Sequence, residues 1–266
     1  MEKVWAKVSG NYDITTGGWM SEAVDFLTGA PSASWTNLDP STINGVAANA
    51  WAILTAANAS SYIMTAGTPG YGCDADDNDL IHLPCDHAYT LLGVYNITGT
   101  NGTVTNRLVQ LRNPWGQDAG YNGTWNDADT KSWTAAHKAQ VPYVNNTNDG
   151  IFWVEDVAFV KYFDSFIVSY AHSSWNNTYT EVVNDTLAGP VRRFNFTVSR
   201  AQEVYVGAEF YDSRMYPDDC KLNATEGILY LYKGSTYISG TYVADFDNFN
   251  YLHFPTLAVG NYSIKF

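Results

Sequence analysis

Two apolar stretches, residues 87–95 (HAYTLLGVY) and 107–112 (RLVQLR), flank a turn that contains Asn101-Gly102. Asn-Gly tolerates left-handed backbone at both centres of a tight turn, so it is a strong signal for an antiparallel hairpin. The two strands are therefore sheet neighbours. The residue that opens the first, His87, lies beside the residues that follow the second, Arg112-Asn113-Pro114-Trp115-Gly116.

Around this hairpin the chain reads as a mixture of short strands and few helices. The best helical pattern is residues 44–57, with Val46, Ala50, Ile53, Leu54 and Ala57 on one face and Asn44 as its cap. Residues 19–27 admit a short strand or a turn of helix. Residues 61–65, 151–154 and 166–170 read as strands, and 157–163 as a helical turn. Residues 67–84 form a loop with four aspartates, Asp74, Asp76, Asp77 and Asp79. It lacks the glutamate and flanking helices of an EF-hand, so a solvated loop is expected. A Ser/Asn/Thr-rich stretch at 171–190 ends in Gly189-Pro190 and suits a domain boundary. Beyond it, alternation at 193–198, 203–210, 227–232 and 261–266 predicts a small antiparallel sandwich of about 80 residues. The fold class is thus α+β, mostly β, with a first domain at 1–172, a linker at 173–190 and a sandwich at 191–266.

Composition narrows the partners. A formal charge of −13 repels phosphate backbones, which argues against nucleic acid and is compatible with binding a cation such as calcium. No apolar run reaches the roughly 20 residues of a membrane span. The first residues, MEKVWAKVSG, lack the apolar core of a signal peptide. Ten Asn-X-Ser/Thr sequons nevertheless occur, at Asn58, Asn96, Asn101, Asn122, Asn145, Asn176, Asn184, Asn195, Asn223 and Asn261. Composition accounts for about four, so the excess suggests a secretory history, against an Asn/Thr-rich chain that never meets the glycosylation machinery. Of the three cysteines, Cys73 and Cys85 flank one loop and could pair in an oxidising compartment; with Cys220 they make no zinc pattern.

A histidine at a strand mouth can present a ring nitrogen to a cleft or merely cap the strand. Asn113 on the neighbouring strand could accept the ring N–H of His87, fixing tautomer and orientation without adding charge. Trp115 could cover that bond. The alternative for Asn-Pro-Trp-Gly is an ordinary turn with a tryptophan.

His87-Ala88-Tyr89 before an apolar strand, followed by Arg112 to Gly116, resembles the His/Asn half of the calpain catalytic domain. Lys7 to Tyr12 with Thr16-Gly17-Gly18, then Phe26 to Gly29, Trp125-Asn126-Asp127 and Asp149 to Trp153, resemble further calpain landmarks in the right order. The resemblance implies a papain-like β-barrel-type subdomain over residues 2–170. Residues 194–198 and 257–266 are similar, less specifically, to the C2-like β-sandwich that follows the calpain core. By this resemblance His87 is the general base and Asn113 its orienting partner. Trp115 shields the pair, while Gly17, Gly18 and Asp86 lie along an extended protein or peptide substrate. Calpains usually have glycine where Asp86 stands. Asp127 and Asp149 match calcium ligands, with Asp118 near a third, but Ile151 replaces a ligating glutamate. The nucleophilic cysteine lies in a lobe that precedes this stretch, to be supplied in cis or in trans, and Cys85 beside His87 does not match it. The family is cytoplasmic, which sets it against the sequons. Two other readings are a non-catalytic calpain homologue that binds peptides, and an aromatic-rich extracellular protein that binds carbohydrate.

Overall fold

The computed structural model describes residues 1–36, 38, 43–70, 82–118, 120–144, 148–179, 193–209, 226–244 and 249–266. The chain is mostly β, in antiparallel sheets with few helices, as the alternation requires. It divides into two compact units, Ser32–Ser174 and Met1–Pro31 with Trp175–Phe266.

The unit Ser32–Ser174 is built on a six-stranded sheet. Its strands are β1 (Ser32–Thr36), β2 (Ile63–Gly67), β3 (Ala88–Thr98), β4 (Val104–Arg112), β5 (Ile151–Glu155) and β6 (Ser165–Ser169), in the order β1-β6-β2-β3-β4-β5. The hairpin is β3–β4. Both strands run longer than the alternation alone indicated, and Gly102 turns with φ 79° at the expected place. A bulge between Leu91 and Gly93 shifts the register, so Thr90 pairs with Arg112.

α3 (Ile43–Ala59) covers this sheet together with α5 (Asp156–Tyr162). α3 spans Ile43–Ala59, so Asn44 falls inside the helix. The buried stripe is Ala47, Ala50, Trp51, Leu54 and Ala57, with Val46 and Ile53 at its margin. Small alanines let the helix lie close against β2 and β3, while Trp51 and Leu54 fill the space beside Phe159 and Val160 of α5. A second cluster on the sheet joins Ile97, Leu108 and Trp153 to Trp125 and Trp133 from the segment before α4 (Ala135–Lys138).

The other unit holds α1 (Glu2–Val8) and α2 (Met20–Thr28), which settles residues 19–27 as helix; Trp5 meets Phe26 edge-on at 4.6 Å. Its strands are β7 (Arg193–Val198), β8 (Gln202–Glu209), β9 (Glu226–Lys233), β10 (Thr236–Ala244), β11 (Phe249–Leu257) and β12 (Gly260–Lys265). They form a four-stranded sheet, β10-β9-β12-β7, and a two-stranded sheet, β11-β8. Phe196, Val204, Leu252 and Ile264 border apolar clusters around Leu229 and Leu231, so side chains from both sheets share one core. The loop aspartates 74, 76, 77 and 79, the 180–190 stretch, Cys73 and Cys220 lie outside the described residues.

Candidate active site

The backbone of His87 is clamped before its ring is considered. Its N–H donates to Thr68 Oγ1 at 3.0 Å and its carbonyl accepts from the Thr68 N–H at 3.0 Å. Thr68 Oγ1 donates onward to the Pro84 carbonyl at 2.7 Å, and the Asp86 N–H reaches the Pro69 carbonyl at 2.9 Å. Asp86 itself adopts φ 47°, the left-handed region that aspartate tolerates better than most residues and glycine best of all. A glycine would meet this backbone geometry at less cost than aspartate does.

Asn113 follows β4 and is fully buried. Its N–H donates to the Gly150 carbonyl at 2.7 Å. Gly150 takes φ 84°, and a Cβ there would lie 2.8 Å from the Asn113 carbonyl oxygen, so the site requires glycine. Asn113 Oδ1 lies 2.9 Å from His87 Nε2 and accepts the Trp115 backbone N–H at 3.1 Å. A backbone N–H can only donate, so it fixes the amide with its oxygen toward the imidazole. Nε2 of neutral His87 then carries the proton and Nδ1 keeps its lone pair. Asn113 Nδ2 is buried without a hydrogen-bond partner, a cost of about 1–3 kcal/mol that the surrounding packing must carry.

Two rings hold the imidazole in place. The Trp115 ring lies 4.3 Å from it, tilted at 45°, and remains 59% exposed on its outer side. Tyr89 meets it edge-on at 4.9 Å, and burial pushes the Tyr89 hydroxyl well above the usual tyrosine range. Tyr89 was readable as a neighbour, since residues two apart on a strand share a face. Thr68 and Gly150 were not, because nothing local marks the long-range contacts they make. Cys85 is disulfide-bonded, so its sulfur is no free thiol. Cys73, its expected partner, lies outside the described residues. Gly17 and Gly18, at φ 71° and 136°, belong to the other unit, and a Cβ on Gly17 would meet open space.

The acidic residues gather elsewhere in the Ser32–Ser174 unit. Asp118 Oδ1 accepts the Gly150 N–H at 2.8 Å, and Asp149 Oδ1 accepts the Ile151 N–H at 2.9 Å. Burial, then the charge of Asp118 and the hydrogen bond shared with it, and then Asp149, push the Asp127 carboxyl up to about 7. Burial also raises Asp118, against the Gly150 N–H. Asp118 and Asp127 line a surface cleft with Tyr121, Asn126 and Asn148. Asp127 Oδ2 is buried with no partner, an atom a cation could engage. Among the described residues, however, no three His, Cys, Asp or Glu side chains converge as a metal site would require. No described helix is long and apolar enough to cross a membrane.

The sequence profile of calpain family cysteine proteases matches residues 1–170. The chain is 29% identical over 171 residues to the calpain-type cysteine protease ADL1 of Oryza sativa subsp. japonica, covering 63% of this chain and 7% of that protein. The same identity over 170 residues, with the same coverage of each chain, holds for the calpain-type cysteine protease DEK1 of Arabidopsis thaliana. Human calpain-14 is 31% identical over 170 residues, 63% of this chain and 23% of that protein. The chain therefore matches less than a quarter of the length of each of these relatives.

Proposed function

Since the chain belongs to the calpain family of cysteine proteases, we propose that it supplies the His/Asn half of an endopeptidase active site whose nucleophile comes from elsewhere. The observation that carries this reading is the 2.9 Å contact between His87 Nε2 and Asn113 Oδ1. It leaves Nδ1 as the acceptor for a thiol proton. A cysteine presented to Nδ1 would pass its proton to the ring and form a thiolate–imidazolium pair. The thiolate attacks the peptide carbonyl, and the imidazolium returns the proton to the leaving amine. A water activated by the same nitrogen then hydrolyses the thioester. Asn113 holds the ring plane through both proton transfers, and Trp115 and Tyr89 keep it from swinging away.

The nucleophile belongs to a cysteine-bearing lobe, in cis or in trans, because Cys85 is already oxidised and no cysteine of this chain matches the family's nucleophile. On this reading the chain alone does not hydrolyse peptides. The family resemblance assigns Gly17, Gly18, Asp86 and Trp115 to substrate binding, and residues 191–266 act as the C2-like sandwich that follows the protease core. Asp127 and Asp149 stand at the family's calcium-ligand positions, but the described residues around them do not gather the ligands a calcium ion needs, so no step is routed through calcium.

The test is to isolate the protein from its native source, determine its full mass and sequence, and treat it with a peptidyl thiol-reactive probe. A native polypeptide or complex labelled on a cysteine other than Cys73, Cys85 and Cys220 is the expected result. Labelling should slow by about a hundredfold or more in His87→Ala. A native protein with no further cysteine and no labelling would overturn the proposal, and a peptide-binding homologue without catalysis would take its place.

A further inference from the structure

The peptidase reading leaves the ten sequons unused, and seven of their asparagines lie among the described residues. Six of these, Asn96, Asn101, Asn122, Asn176, Asn195 and Asn261, are exposed, and only Asn58, in the last turn of α3, is half-buried. The atom that matters is the amide nitrogen. None of the six exposed asparagines donates from Nδ2 to another described residue. Where the side chain is engaged, it is through oxygen. Asn101 Oδ1 accepts from Thr103 Oγ1 at 2.6 Å and from the Thr103 N–H at 3.1 Å. Asn261 Oδ1 accepts from Thr197 Oγ1 at 2.9 Å. Asn101 sits at the tip of the β3–β4 hairpin, and Asn195 and Asn261 stand on paired strands, where Thr197 faces Asn261 and Asn195 faces Ser263.

A second, independent observation concerns the compartment. Cys85 is in a disulfide, a bond that forms and persists in the oxidising spaces where N-glycans are attached and is rare in a reducing cytosol. Sequon number, exposure, unengaged nitrogens and oxidised sulfur thus agree.

We infer that this protein is N-glycosylated at its exposed sequons and is made through the secretory pathway. The transfer joins Asn Nδ2 to the anomeric carbon of an oligosaccharide carried on a lipid diphosphate. The carbon–oxygen bond to the diphosphate breaks, the lipid diphosphate leaves, and one amide proton passes to a base. Each asparagine stays a neutral amide and keeps its oxygen, so the bonds that Thr103 and Thr197 make to Asn101 and Asn261 survive the modification. At Asn58, a glycan would have to emerge from beside the helix's buried face.

The experiment takes the protein from its native source, releases N-glycans with a peptide-N-glycosidase in heavy-oxygen water, and maps the peptides by mass spectrometry. Each formerly glycosylated asparagine becomes an aspartate carrying the heavy oxygen. Labelled aspartate at one or more of the six exposed positions is the expected result, with a sharper and faster band on the gel. Unlabelled asparagine at all six overturns the inference, and so does label at Asn58 with the six bare. The measurement needs no peptidase activity, so it stands or falls apart from the catalytic proposal.

Discussion

Replacing Asn113 with alanine (N113A) removes the oxygen toward which both His87 Nε2 and the Trp115 N–H point. In the native protein, turning neutral His87 into its Nδ1–H form would lose one hydrogen bond and set two lone pairs against each other. That costs about 1–3 kcal/mol in a buried setting. At 1.4 kcal/mol per tenfold, the Nε2–H form outweighs the other by about five- to 150-fold. N113A abolishes that bias. Its effect on stability is smaller than a buried truncation usually gives. Two bonds of about 1 kcal/mol each disappear, with a small cavity in addition, but the partnerless Nδ2 goes as well and returns about 1–3 kcal/mol. The net loss is about 1 kcal/mol. Long-range proton–nitrogen NMR reads the tautomer directly, and urea unfolding reads the stability. Wild-type protein with its proton on Nδ1, or an N113A spectrum with an unchanged tautomer ratio, would refute the reasoning.

Gly150→Ala combines φ 84° with a Cβ 2.8 Å from the Asn113 carbonyl oxygen and 3.1 Å from Gly116 Cα, so thermal unfolding should show a loss of about 2–4 kcal/mol. A loss below about 0.5 kcal/mol would mean the turn relaxes freely. Asp129 accepts the N–H groups of Trp125, Lys131 and Ser132. Although burial pushes its carboxyl up, bonds from Ser132, Trp125 and Lys131 outweigh it and hold it at about 2. Its contribution is therefore complete above the ordinary carboxylate range and lost as pH falls towards 2. Asp129→Ala should cost about 0.5–1 kcal/mol at neutral pH, after discounting for solvent screening of a partly exposed carboxylate, and much less at the acid end of a pH series of urea melts. Asp127 has the opposite sign, with its folded carboxyl raised to about 7, so ionising it as pH rises weakens the fold. Asp127→Asn should gain about 1 kcal/mol at mildly alkaline pH, after discounting for solvent screening of a partly exposed group, and nothing in acid.

What the sequence disclosed and what it withheld divide along physical lines. The β3–β4 hairpin was legible because alternation and Asn101-Gly102 are local signals, and His87, Asn113 and Trp115 were legible because that hairpin makes them neighbours. α3 declared itself by its apolar stripe. β1, with the sequence SASWT, carries too little apolar alternation to announce a strand and is held by its partner β6. β10 and β11 escaped notice for related reasons. β10 starts exposed, runs half-buried through its middle and is buried only at Val243 and Ala244, so it shows no period-two pattern, and β11 contains Pro255, which sits where its register with β8 shifts. At the site, the Thr68 clamp and the Gly150 contact join residues far apart in the chain, and no period or turn motif encodes such pairings.

The pairing of β1 with β6 has a mechanical side. The chain enters the Ser32–Ser174 unit at Ser32, which faces Ser169 across the sheet, their hydroxyls 2.7 Å apart, shortly before the chain leaves it. A pull on the two ends of this unit would load the rungs singly, Ser32–Ser169 first and Ala33–Val168 next, as a zipper opens. Strands dragged lengthwise past each other share force over every rung; strands peeled from a common end do not. The unit that holds His87 and Asn113 should therefore give way under small tension applied through its own termini, while resisting heat or denaturant as a whole.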